Sequence, residues 1–372
     1  MKVSRRWLFV CAAATFGIVG TLGAFLTADV YVHHRFERGV LYNMWGYRGP
    51  TVGGKKRGEY RIAVLGGSAA YGFGVRWDES MPALLEARLH NLAPSLVVNL
   101  AYNTQGAYAF VPTMDDYAYL KYDAVVLYES YNDLLSDPTA PTRSVFRRES
   151  PVFRLTGYLP IFPIVAREKA SVLVYGDTRE VYARAQHAQT VFSPGLARQT
   201  TAQILRSAAT VGESLERQFE HVATHASTPA ASADAVSGCH GTWAAYCRLV
   251  YDAIRIARSR QVQVLVATPP YLLGEALHAA HVGQQREMAE MIDRNFGSDR
   301  DVLYVNLGQS VDLSDPAMSF DRMHLTAEGN ARIAAALTEP VIRLRERRVC
   351  VSASASSPSP ARGCSARTAA SD

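Results

Sequence analysis

The chain opens with its most uniform stretch. After MKVSRR, residues Trp7 to Leu26 form about 20 uncharged and mostly apolar positions, enough for one helix to cross the hydrocarbon core of a bilayer. The basic flank predicts that the residues before the helix stay in the cytoplasm, so that everything after Asp29 lies outside, in the periplasm of a two-membrane cell. A cleaved signal peptide is the competing reading, but the run is long for one and Leu26-Thr27-Ala28 is a poor small-x-small cleavage site. From Asp29 to Gly58 the chain turns polar and aromatic, with His33, His34 and Trp45-Gly46-Tyr47-Arg48-Gly49-Pro50, and reads as a juxtamembrane connector on the domain surface. Adjacent histidines point apart on any regular element, so this pair reads as solvated rather than as a metal site.

A different rhythm begins at Arg61. Short apolar runs break abruptly into polar or glycine-containing loops: Ile62–Leu65 into Gly66-Gly67-Ser68, Leu96–Leu100 into AYNTQGAYAF, Ala124–Leu127 into YESYND, Val262–Ala267 into Thr268-Pro269-Pro270, and finally Val302–Leu307. Such runs are the pattern of strands buried on both faces. Between them lie helical stretches, Ser80–Leu92, with an early proline and with Leu84, Leu85 and Leu89 on one face, then Trp243–Arg258 and Gly283–Phe296, and after the last run a closing helix, Thr326–Leu344. The alternation predicts βαβ units, hence an α/β/α sandwich around a parallel sheet of about five strands over residues 59–346. An insertion at about 134–240 interrupts it, with turns from Asp137 to Thr142, an apolar piece GYLPIFPIV from Gly157, a helix over Leu196–Thr224 and a Ser/Ala/Pro tract from Ala226. Two readings stand for it, a lid or membrane-facing cap and an insertion packed on the core. The Ser/Ala/Pro/Arg-rich tail, 347–372, reads as disordered.

Composition changes this picture little. With 372 residues, 48% hydrophobic and 20% charged, there is ample material for a core. The net charge of +5 is concentrated at the two ends, so no nucleic-acid surface is read from it. Of the five cysteines, Cys239 and Cys247 lie eight apart in the exported region, as a disulfide loop or as two free thiols. No Cys/His cluster has metal spacing, and no cofactor or metal is expected. His240, His278 and His281 have no partner in sequence and read as solvated.

The candidate chemistry sits at the ends of the predicted strands. Ser68 follows two glycines at the C-terminal end of the first strand, the edge of an open α/β sheet where ligands bind. Asp321-Arg322-Met323-His324, ahead of the last helix, places a carboxylate three residues before a histidine, where it can fix the imidazole tautomer and leave Nε2 free to take a proton. Other strand-end loops supply Gly106 and Asn132.

In four ordered blocks the chain resembles the SGNH hydrolase superfamily, the GDSL esterase/lipase family. Gly66-Gly67-Ser68 with Gly72 matches the first block, NLAYNTQG the second, Ser130-Tyr131-Asn132-Asp133 the third and Asp321 to His324 the fifth, over roughly Arg61 to Leu344. The resemblance implies a flavodoxin-like fold, Ser68 as nucleophile, His324 as base oriented by Asp321, and an oxyanion hole formed by Ser68, Gly106 and Asn132. Two departures stand out: Gly67 replaces the usual aspartate before the serine, and Ser130 replaces the glycine of the third block. With the anchor, this leads to an extracytoplasmic serine esterase, bound to the inner membrane, acting on acyl or acetyl esters of an envelope lipid or polysaccharide. An O-acyltransferase acting on an exported glycan is the alternative, and a non-catalytic envelope scaffold the second.

Overall fold

The computed structural model describes residues 5–37, 39, 42–90, 92, 94–129, 131–135, 145–175, 195–220 and 236–356. The chain divides into two compact units, one made of 1–46 with 146–227 and the other of 47–145 with 228–372.

The larger unit is an α/β fold on a five-stranded parallel sheet. Its strands are β1 (Tyr60–Gly66), β2 (Ser95–Asn99), β3 (Ala124–Tyr128), β4 (Gln263–Ala267) and β5 (Val302–Val305), in the order β2-β1-β3-β4-β5. That is the flavodoxin-like order of doubly wound sheets. Every residue of β1, β3 and β4 is buried, as the unbroken apolar runs predict for strands covered on both faces. Helices Met81–His90 and Ala327–Ser356 pack together, and Phe110–Asp116 and Glu275–Phe296 each pack against Ala244–Ser259. The register sets Gly66 beside Tyr128 and Leu65 beside Leu127. Adjacent strands are only about 4.8 Å apart, so the loops leaving β1 and β3 start side by side.

Several boundaries differ from the sequence reading. Helix Glu275–Phe296 begins eight residues before Gly283, and within the added stretch His281, polar in sequence, is buried. The closing helix runs through Ser356, into the segment expected to be disordered; the rest of that tail, Ser130, the Asp137–Thr142 turns and nearly all of the Ser/Ala/Pro tract lie outside the described residues. Cys239 and Cys247 form a disulfide.

In the smaller unit the apolar helix runs over Arg5–Phe36 and is long and apolar enough to cross a membrane. It continues past Leu26 through residues expected in a surface connector. Asp29 is buried and accepts hydrogen bonds from the backbone N–H groups of Ile161 and Phe162 and from the Tyr158 hydroxyl. His33 is buried rather than solvated, its Nε2 3.3 Å from Asp29 Oδ2 and 2.9 Å from the Leu159 carbonyl. Leu159, Ile161 and Val165 of the GYLPIFPIV piece are buried within this same unit, and Phe25 packs edge-on to Phe162. That piece is therefore packing material here rather than an exposed contact.

Candidate active site

β1 ends where side chains must be absent. A Cβ on Gly66 would stand 2.5 Å from the Tyr128 carbonyl oxygen and 2.7 Å from the Ala70 Cβ, so the chain leaves the strand tightly through glycine. Ser68 then begins a single helical turn, Ser68–Tyr71, closed by Gly72 at φ +81° in the left-handed region. Its hydroxyl projects from the sheet edge to meet His324, with Oγ 2.8 Å from Nε2.

His324 reaches that position from the loop after β5. Asp321 Oδ1 accepts hydrogen bonds from the backbone N–H groups of Met323 (3.0 Å) and His324 (2.6 Å), while Oδ2 lies 2.7 Å from His324 Nδ1. Closing this turn puts Arg322 at φ +65°, an uncommon conformation for a non-glycine residue. Partial burial pushes the Asp321 carboxyl up, but the hydrogen bonds from His324 and the backbone outweigh it and hold the group below the ordinary carboxylate value. Asp321 is thus an anion that selects the tautomer with the proton on Nδ1, leaving Nε2 to accept from Ser68. The imidazole is flanked by two half-exposed rings, Phe73 at 4.8 Å and Phe320 at 6.0 Å between centroids.

The other loops form a second cluster. Asn132 Nδ2 donates to the Gln105 carbonyl at 3.0 Å, which sets its amide on the same loop pair as Gly106. Next to it, the buried Asp133 carboxylate accepts from the Ala107 N–H at 3.0 and 3.2 Å. Gly106 lies over that carboxylate so closely that a Cβ would stand 2.1 Å from Asp133 Oδ1. No described residue accepts from the Gly106 N–H. The loop is tied to the end of β1 by the Tyr102 N–H, which donates to the Gly66 carbonyl at 3.0 Å.

The structure thus brings Ser68, His324 and Asp321 into one hydrogen-bonded chain, and Gly106, Asn132 and Asp133 into one loop pair at the same sheet edge. It also reveals residues that the sequence reading passed over or misjudged. Arg48 and Asn99, assigned to a surface connector and to an ordinary strand, are buried behind the Ser68 turn. His281, expected in solvent, is buried edge-on to Tyr131 and Tyr271, and burial pushes its imidazole down to about 4. Glu129 is fully buried at the end of β3, and burial pushes its carboxyl up to about 8. No local pattern marks any of these, since each is defined by neighbours far away in the chain. Among the described residues no group of three His, Cys, Asp or Glu could hold a metal ion.

No family model matches the chain, and neither does any curated protein. Similar solved structures include one described as a putative lipolytic protein of the G-D-S-L family from Desulfitobacterium hafniense, at 10% identity over 75% of this chain and 98% of that one, with a TM-score of 0.38. A GDSL-like lipase from Bacteroides thetaiotaomicron matches at 10% identity over 78% and 92% with a TM-score of 0.39. An α/β hydrolase from the metagenome of Lake Arreo matches at 14% identity over 77% and 96%, with a TM-score of 0.42. At these TM-scores the likeness carries no assignment, and the fold rests on the strand order β2-β1-β3-β4-β5.

Proposed function

We propose that this chain is a membrane-anchored, extracytoplasmic serine esterase that cleaves acyl or acetyl esters of an envelope lipid or polysaccharide. The observation that carries the reading is the unbroken chain from Asp321 through His324 to Ser68, with both links at 2.7–2.8 Å. A hydrogen-bonded Ser–His–Asp chain at a strand-end edge has the connectivity of a nucleophile, its base and the base's orienter.

The chemistry follows from these parts. His324 Nε2 takes the Ser68 proton as Oγ attacks the ester carbonyl, giving a tetrahedral oxyanion. The backbone N–H groups of Ser68 and Gly106 and the Asn132 side-chain amide are the donors for that charge. Each such donor is worth about 3 kcal/mol of barrier. His324 then passes its proton to the departing alcohol, leaving an acyl group on Ser68. Water, deprotonated by His324, attacks the acyl-enzyme, and collapse of the second tetrahedral species returns the acid and free Ser68. An acceptor hydroxyl in place of water makes the same site an acyltransferase.

Three features support the location. The apolar helix has a basic N-terminal flank, the catalytic unit follows it in the chain, and the Cys239–Cys247 disulfide suits an oxidising compartment.

The test uses the full chain in detergent, with p-nitrophenyl acetate and longer acyl esters beside Ser68→Ala and His324→Ala. A fluorophosphonate label is located by mass spectrometry in the same samples. Turnover and labelling at Ser68, both lost in the variants, are expected, and chain-length preference separates acetyl from lipid substrates. Labelling without turnover assigns the site to a transferase lacking its acceptor. Neither signal from folded protein overturns the esterase in favour of a scaffold.

A further inference from the structure

The turn that carries Ser68 has a structural problem that a side chain from elsewhere solves. A helix of four residues leaves its last carbonyl groups without helical partners. Here Arg48 Nη1 donates to the Tyr71 and Gly72 carbonyls, each at 2.6 Å, and Nη2 donates to the Val75 carbonyl. The guanidinium also stacks on the Tyr71 ring at 4.2 Å. Arg48 is held in turn by its own backbone N–H, which donates to the Asn99 carbonyl at 3.0 Å. The Asn99 side-chain amide donates to the Ala70 and Tyr71 carbonyls at 3.3 and 3.2 Å. Both residues are buried, and the Ala70, Tyr71, Gly72 and Val75 carbonyls behind the nucleophile are met by donors from outside the turn.

These acceptors bracket Phe73, whose N–H donates to the Ser68 carbonyl at 3.0 Å and whose ring lies against His324. The same fork therefore reaches both halves of the reacting pair: the backbone of the nucleophile and the ring that flanks its base. A cation at a helix C-terminus is also favoured by the peptide dipoles. Lysine is a poor substitute, because a single ammonium lacks the two separated nitrogens with which the guanidinium fork reaches these three carbonyls.

We propose that Arg48, backed by Asn99, is a positioning residue that holds the Ser68 turn and Phe73 in register with His324. It touches no reacting atom. The proposal rests on the esterase reading for its kinetic consequence and on the hydrogen-bond geometry alone for its structural one. Misplacing a reacting group by about 1 Å costs on the order of a hundredfold in rate.

The experiment compares full-length wild type, Arg48→Ala and Arg48→Lys in detergent. It reads ester turnover, its pH profile, and amide hydrogen exchange over residues 68–75. Arg48→Ala is expected to lower kcat by about a hundredfold with KM changed by less than about threefold, with the shape of the pH profile unchanged because Asp321 and His324 are intact. Exchange over 68–75 should quicken by about tenfold or more, by the local-opening argument. Guanidinium ion at tens of millimolar should restore at least about tenfold of the lost rate by refilling the site, and Arg48→Lys should fall between. Wild-type kcat in Arg48→Ala, unchanged exchange over 68–75, or a loss that guanidinium does not relieve would each overturn the proposal. If Arg48→Ala does not fold, Arg48→Lys decides by the same measures, and equality with wild type in both overturns it. If the wild type neither cleaves esters nor takes the fluorophosphonate at Ser68, the esterase reading fails on its own. Exchange then decides for Arg48: quickened and reversed by guanidinium upholds the hold, unchanged refutes it.

Discussion

His324 Nε2 stands 2.8 Å from Ser68 Oγ although the two residues are 256 positions apart in the chain. One lies just past the end of β1 and the other in the loop after β5, on opposite sides of a sheet order that puts β3 and β4 between them. The contact therefore depends on all the intervening strands pairing in register.

The role of Asp321 is testable apart from that of Ser68. Asp321→Asn keeps the turn's shape but offers an amide where His324 Nδ1–H needs an anion, and it permits the wrong tautomer. Ester turnover near neutral pH should fall by about 10³–10⁴ with the melting temperature little changed. A loss of less than about tenfold would remove Asp321 from the catalytic chain.

Asn132→Ala should lower kcat by about 10²–10³, equivalent to about 3 kcal/mol of transition-state stabilisation, with KM nearly unchanged. The comparison of kcat with KM on the same ester checks it. A rise in KM alone would make Asn132 a substrate contact rather than an oxyanion donor.

Gly106→Ala should cost stability as well as activity. The new methyl group would collide with the buried Asp133 carboxylate, 2.1 Å from Oδ1, and the Ala107 N–H would lose its acceptor if Asp133 moved away. Overpacking of this kind costs about 1–3 kcal/mol. Denaturant unfolding reads the loss, and an unchanged midpoint would contradict the close packing of Gly106 on Asp133.

The pH dependence of stability should carry the signature of Glu129. Burial raises its folded value to about 8 from an ordinary 4.5; the bond from Gln285 and the nearby Tyr246 hydroxyl lower it and nearby Asp133 raises it. The folded chain thus holds a proton that the unfolded chain releases, so this contribution is complete below about 4.5, falls as pH rises, and is gone by about 8. Glu129→Gln keeps an acceptor for Gln285 without a charge. Its melting temperature relative to wild type should rise between pH 5 and pH 9. A difference independent of pH would mean that Glu129 is ionised in the folded protein.

Removing the disulfide by the double change Cys239→Ala and Cys247→Ala should lower stability by about 2–3 kcal/mol, the chain-entropy expectation for so short a loop. Unfolding in guanidinium chloride with and without reductant measures it for the wild type. Insensitivity to reductant would show that the bridge is absent.

Much of the fold was readable because buried parallel strands leave a purely local trace. The five apolar runs gave strands whose ends moved by only one or two residues, and the polar loops after them held Ser68, Gly106, Asn132, Asp321 and His324. The errors share one cause. His33, Arg48 and His281 are polar residues buried by distant partners, such as the Leu159 carbonyl for His33 and the Tyr71 carbonyl for Arg48. Composition and periodicity assign such residues to solvent because they count polarity without counting hydrogen bonds.

The sequence by itself determined which elements form and which chemistry-bearing residues stand at their ends, since periodicity, glycine turns and helix caps act over a few positions. The tertiary structure alone decided which of those ends meet. Strand order and register set Ser68 facing His324 and Asn132 against Gln105, and burial set Arg48, expected in a connector, against the Tyr71 and Gly72 carbonyls of the Ser68 turn. The physical reason is range: a hydrogen bond spanning a few ångströms is specified by local sequence only when both partners lie within a few residues of each other.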